Sequence, residues 1–125
     1  MGEEIRLHEG ELYVMELLWA NNELAAKDIA KTIKDYVGWK ENTTYTVINR
    51  LMNKGAVKRE DPGFKCSALI SKRKVQEIET KALLDKVYNG SIVNFFNEYL
   101  ANIKLTPNEV IELERCVGEL KRFRF

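Results

Sequence analysis

The stretch from Leu24 to Ile70 constrains the fold more than any other, because two amphipathic segments stand close together and the second runs directly into a hairpin signal. In "LAAKDIAKTIKDYVG", Ala26, Ile29, Ala30, Ile33 and Val37 recur at helical spacing, while Lys27, Lys31 and Lys34 fall on the outer side. Gly38 stands where a helix C-cap glycine belongs. After only Trp39-Lys40-Glu41, Asn42 or Thr43 can cap another helix, with Val47, Ile48 and Leu51 as its buried stripe and Gly55 as its end. "AVKRE", "DPG" and "FKCSALI" then read as strand, turn and strand. An earlier helix precedes all of this in "GELYVMELLWAN", where Leu12, Met15, Leu18 and Trp19 mark one face before Asn21-Asn22 breaks the pattern.

Three helices followed by a hairpin give the order of a winged helix-turn-helix. The third helix, about residues 42–54, is then the recognition helix, because the DNA major groove is wide enough to admit it. Its composition supports that reading. Asn42, Thr43, Thr44, Tyr45, Thr46, Asn49, Arg50, Asn53 and Lys54 are candidate DNA contacts, joined by Lys65 on the hairpin. Asn can bond adenine bidentately, Tyr and Thr can meet a thymine methyl, and Arg50 and Lys54 suit phosphates. Purely structural alternatives stand beside these roles: Asn42 or Thr43 as an N-cap, Arg50 in an ion pair, Tyr45 packed at the domain edge. Charge adds weight to the nucleic-acid reading. The formal net charge is only +1, yet Lys27, Lys31, Lys34, Lys40, Arg50, Lys54, Lys58 and Arg59 face only Asp28, Asp35 and Glu41 between Lys27 and Arg59.

The remaining residues read as three more helices. Val75, Ile78, Ala82, Leu83 and Val87 point inward from the first, and Ile92, Phe95, Phe96, Tyr99, Leu100 and Ile103 from the second. The last carries the best start signal in the chain, with Thr106 as N-cap, Pro107 at the first helical position and Glu109 completing a capping box before Val110, Leu113, Val117 and Leu120. Some fifty residues of this kind lie near the lower limit for a self-sufficient core. Apolar residues on more than one side of "SIVNFFNEYL" call for a second copy to cover them. Leu83, Val87, Ile92, Phe95, Phe96, Tyr99, Leu100, Val110, Leu113 and Val117 are the candidate dimerisation residues. The expected class is mainly α with a small β-hairpin wing: a winged helix-turn-helix over 1–71, then a helical dimerisation region over 72–125.

Taken together, "LHEGELYVMELLWANNELAAKDIAKTI", "WKENTTYTVINRLMNKGAVKRE" and "GFKCSALIS" resemble the DNA-binding domain of the penicillinase repressor family, the BlaI/MecI/CopY type. The matching residues include Glu11, Leu18-Trp19, Trp39, Thr43, Thr46, Arg50-Leu51 and Lys54-Gly55, and the likeness continues through "LLDKVYNGS" to the last helix. The resemblance implies a homodimeric transcriptional repressor on a palindromic double-stranded DNA operator, with a membrane sensor protease as a further partner in the β-lactam branch. Several residues depart from that pattern. The copper-responsive branch carries a C-terminal cysteine cluster, whereas this chain has the lone Cys116 there. Cleavage in the β-lactam branch falls at an Asn-Phe bond, and ungapped alignment puts Glu98-Tyr99 at that position, with Asn94-Phe95 one turn earlier. Many relatives have Gly-Arg at the wing tip, where this chain has Gly63-Phe64 and then Lys65, so that either Lys65 takes over a backbone contact or Phe64 packs.

Other classes fare worse. His8 is the single histidine and suits a helix start, and the chain has neither a Gly-rich phosphate loop nor a nucleophile elbow, so no enzyme is expected. Cys66 and Cys116 form no Cys-x-x-Cys pair, so no metal or cofactor is expected. No apolar run reaches spanning length and no signal-peptide core is present, so the expectation is a cytoplasmic protein without membrane insertion. The rival reading is a winged-helix module that binds protein through Trp39, Tyr45 and Phe64 instead of DNA.

Overall fold

The computed structural model describes residues Glu4 to Arg124. In chain order the elements are α1 (Glu9–Asn21), β1 (Glu23–Ala25), α2 (Ala26–Val37), α3 (Glu41–Asn53), β2 (Val57–Glu60), β3 (Lys65–Ala68), α4 (Lys72–Val87), α5 (Ile92–Asn102) and α6 (Pro107–Phe123). Two compact units divide between Ala82 and Leu83, later in the chain than the expected boundary after residue 71. Most of α4, up to Ala82, belongs to the first unit, and its Val75 and Ile78 are buried.

In the first unit, Val14, Met15 and Leu18 of α1, Ile29 and Ile33 of α2, Ile48 and Leu51 of α3 and Cys66 of β3 form one core. The helical periodicity of the sequence thus maps onto faces that meet one another. Gly38 ends α2 at φ 84°, a left-handed conformation that a residue with a Cβ rarely adopts, and its N–H returns to the Ile33 and Lys34 carbonyls. The start of α3 differs from expectation. Lys40 is its N-cap, and the helix begins at Glu41, ahead of Asn42 and Thr43.

The hairpin forms as β2 and β3, antiparallel, with Arg59 opposite Cys66 and Val57 opposite Ala68. A third strand lies on its other edge. Leu24 of β1 pairs with Cys66, giving the order β1-β3-β2, and the Ala26 N–H donates to the Phe64 carbonyl at 2.9 Å. Nothing in "ELA" announces a strand, since a three-residue segment takes that form only when a neighbour supplies the hydrogen bonds. Trp19 ties the far end of the hairpin to α1, its indole N–H donating to the Ile70 carbonyl at 2.9 Å.

The second unit contains α5, α6 and the end of α4. Its helix starts are well made: Ser91 Oγ accepts from the Asn94 N–H, and Thr106 and Glu109 form the reciprocal capping box with Pro107 at the first helical position. Its interior is not. No described residue from Leu83 onward is buried. Among the described residues, no helix is long and apolar enough to cross a membrane.

Candidate nucleic-acid interface

The two sides of α3 separate sharply. Thr44, Val47, Ile48 and Leu51 face the core, and Asn42, Thr43, Thr46, Asn49, Arg50 and Asn53 are exposed. Helical spacing aligns Asn42, Thr46, Asn49 and Asn53 in one stripe, with Thr43 and Arg50 along its flank. Among the described residues, the side chains of Asn42, Thr43, Asn49, Arg50 and Asn53 make no hydrogen bond or ion pair, while the Thr46 hydroxyl donates back to the Asn42 carbonyl at 2.9 Å. Amide and guanidinium donors held on a rigid helix and left unpaired are available to an external acceptor.

Three of the sequence candidates are placed differently. Thr44 is fully buried, so its side chain cannot reach a ligand beside α3, and its hydroxyl has no hydrogen-bond partner among the described residues. Tyr45 is half-buried and packs on Phe64 with ring centroids 6.1 Å apart. Lys54 turns back into the molecule, where its ammonium donates to the Glu11 carboxylate at 2.6 Å and to the Arg6 carbonyl at 2.9 Å. An amine so engaged ties α1 to the end of α3. Lys54, expected as a phosphate contact, makes these internal contacts in the chain without DNA.

Glu11 is almost completely buried. Desolvation pushes its carboxyl pKa up, but the His8 N–H, which donates at 2.7 Å, and the Lys54 ammonium together outweigh burial and hold it below the ordinary value. His8 accordingly stands as the N-cap of α1.

The wing is closed on itself. Phe64, at φ 48°, sits beneath the Arg59 guanidinium, whose carbon lies 3.7 Å from the ring centroid, and touches Tyr45 on its other side. Phe64 packs at this tip, and Lys65 next to it is exposed. Sequence reading missed Arg59 as the partner of this ring; its only signal was a cation on the strand facing an aromatic tip. Lys58 and Arg59 are paired with Glu60 and Asp61. Among the described residues, Lys27, Lys31, Lys34, Lys40, Arg50 and Lys65 make no ion pair, and they outnumber the likewise unpaired Asp28, Asp35 and Glu41 of the same stretch. Trp39, Tyr45 and Phe64, the anchors of the rival protein-binding reading, all pack on neighbours within the unit.

The candidate dimerisation residues lie in the second unit. Leu83, Val87, Ile92, Phe96, Tyr99, Leu100, Val110, Leu113 and Val117 are exposed, and Phe95 is half-buried among Tyr88, Phe96 and Tyr99. Phe96 and Leu100 of α5 and Val110, Leu113 and Val117 of α6 line one open apolar groove.

Comparison with known proteins agrees with this architecture. The chain is 25% identical over 118 residues to the penicillinase repressor of Bacillus licheniformis, covering 93% of this chain and 92% of the relative. It is 24% identical over 115 residues to the methicillin resistance regulatory protein MecI of Staphylococcus aureus (strain N315), covering 90% and 94%. The solution structure of the DNA binding domain of the repressor BlaI superposes with a TM-score of 0.54 at 24% identity, covering 59% of this chain and 93% of that domain, and supports the winged-helix fold. The sequence profile of the penicillinase repressor family matches residues 7–119, and the chain belongs to that family.

Proposed function

We infer that the protein is a homodimeric, sequence-specific DNA-binding transcriptional repressor, acting in the cytoplasm on a palindromic operator. The observation that carries this reading is the exposed polar stripe of α3, whose Asn42, Asn49 and Asn53 amides have no partner among the described residues, opposite a buried face of Thr44, Val47, Ile48 and Leu51. On this reading α3 enters the major groove, Asn49 and its neighbours read base edges, and Arg50 and Lys65 neutralise phosphates. The relative named a penicillinase repressor, the one named a methicillin resistance regulatory protein, and the BlaI domain named for DNA binding support a DNA-binding regulatory function. Dimerisation rests on the second unit. An α5–α6 groove with Phe96, Leu100 and Val117 open to water leaves apolar surface that a two-fold copy can cover.

The test is selection of bound duplexes from a random pool, then affinity measurement on the selected and a scrambled duplex over a series of salt concentrations. The expected result is a palindromic consensus with half-sites about one helical turn, ~10 base pairs, apart. Affinity for both duplexes should fall steeply with salt as counterions return to the DNA, with the selected site tighter throughout. No enrichment, together with salt-insensitive binding, overturns the reading.

A further inference from the structure

A cleft on the first unit, between α1 and α2, is built from residues that the DNA-binding reading does not use. It is open to solvent and has a volume of about 510 Å³, within the usual range for a small-molecule site. Leu17, Ile33 and Val37 supply apolar lining, Tyr13 and Tyr36 supply two aromatic rings, and Glu16 supplies the single charged group that lines it. Tyr36 is 87% exposed, unusual for an aromatic residue that contributes nothing to the core. Tyr13 is held in place from behind. The Trp39 ring meets it edge-on at 5.6 Å, and Trp39 in turn lies against Gly10, where a Cβ would stand 3.3 Å from the indole. Glycine inside a helix costs stability, and here its lack of a side chain admits the ring that supports Tyr13.

We propose that this cleft binds a small amphipathic organic cation, an aryl- or alkylammonium whose apolar body lies on Leu17, Ile33 and Val37 and whose charge meets Glu16 and the tyrosine faces. Three observations favour a cation. No lysine or arginine is among the lining residues, and the Lys72 ammonium beside the cleft is already paired with Glu16, so an anion would meet no free counter-charge there. Tyrosine faces attract cations through the negative face of the ring. The Glu16 carboxylate already accepts an alkylammonium: Lys72 Nζ lies 3.1 Å from one oxygen, Oε2, while Oε1 makes no hydrogen bond or ion pair among the described residues. Both partners of that pair are about half exposed, so the contact is weak and a ligand ammonium can share or displace it.

The experiment is titration of the full chain, without DNA, with benzyltrimethylammonium and with benzyl alcohol as a neutral comparator, read by NMR of tyrosine rings and the tryptophan indoles. Saturable shifts of Tyr13, Tyr36 and Trp39 are expected for the cation. Glu16→Gln should weaken its affinity about threefold, the scale of a half-exposed charge contact, and Tyr36→Ala should weaken it in the same sense. Both positions are exposed, so the variants retain the fold, which circular dichroism checks. Equal affinity for benzyl alcohol overturns the proposal. So does an unchanged dissociation constant in Glu16→Gln, or shifts confined to α5 and α6. Because no DNA is present, the result is independent of whether the α3 reading holds.

Discussion

Thr44 and Asn49 lie on one helix and illustrate opposite uses of a polar side chain. Thr44 occupies a core position with a hydroxyl that finds no partner among the described residues. Such a group is stripped of water without compensation, so Thr44→Val should raise stability by about 1 kcal/mol. A higher denaturant midpoint checks this, with DNA affinity expected to stay the same; a loss of affinity at unchanged stability would return Thr44 to the contact set. Asn49 is exposed and unpaired, so Asn49→Ala should leave stability nearly untouched while reducing discrimination between operator and random duplex by ~1–3 kcal/mol. Equal losses on the two duplexes would reject base reading by Asn49. Polarity alone gave both residues the same role in the sequence. Helical phase separates them, since Thr44 falls with Val47, Ile48 and Leu51.

At the scale of elements, α1 and α3 are joined by the Glu11–Lys54 pair, a contact between residues 43 positions apart. Both ends were visible in the sequence as matching positions; their meeting was not, because no local pattern encodes a contact of that span. Lys54→Met should cost about 3 kcal/mol, the upper range for stranding a buried, hydrogen-bonded group, measured by denaturant unfolding. The pH dependence carries a second signature. A carboxyl whose pKa is lower in the folded chain gives stability that is present above its unfolded value, ~4.3, and is lost as pH falls through the folded one. The unaltered chain should therefore lose melting temperature through the acid carboxylate range. In Lys54→Met, burial is opposed by His8 alone, and the acid loss should shrink; an identical acid limb would show that Glu11 is not set by Lys54. The β1 strand teaches the same lesson as the pair. The six helices follow from local periodicity and caps, whereas Glu23–Ala25 becomes a strand only because β3 lies alongside.

For the whole molecule, the division after Ala82 gives two parts of unlike character: one with a packed core, and one without a buried residue among those described. The sequence revealed the apolar faces of α5 and α6 but not how far the chain itself would cover them, since coverage is decided by tertiary packing. If a second copy covers them, each Phe96 buried contributes about 1.5–3 kcal/mol. Phe96→Asp should then weaken the dimer by at least about a hundredfold, giving monomers with poor operator affinity in sedimentation velocity. An unaltered dimer would place the interface elsewhere. The two cysteines happen to fall one in each part, Cys66 sealed in the first and Cys116 open on α6 in the second. Burial also pushes the Cys66 thiol pKa up, with Arg59 opposing, which further lowers the fraction present as reactive thiolate. The chain therefore carries two alkylation sites with separate readouts: a thiol reagent marks Cys116 at once unless another surface shields it, and marks Cys66 only when the first unit opens.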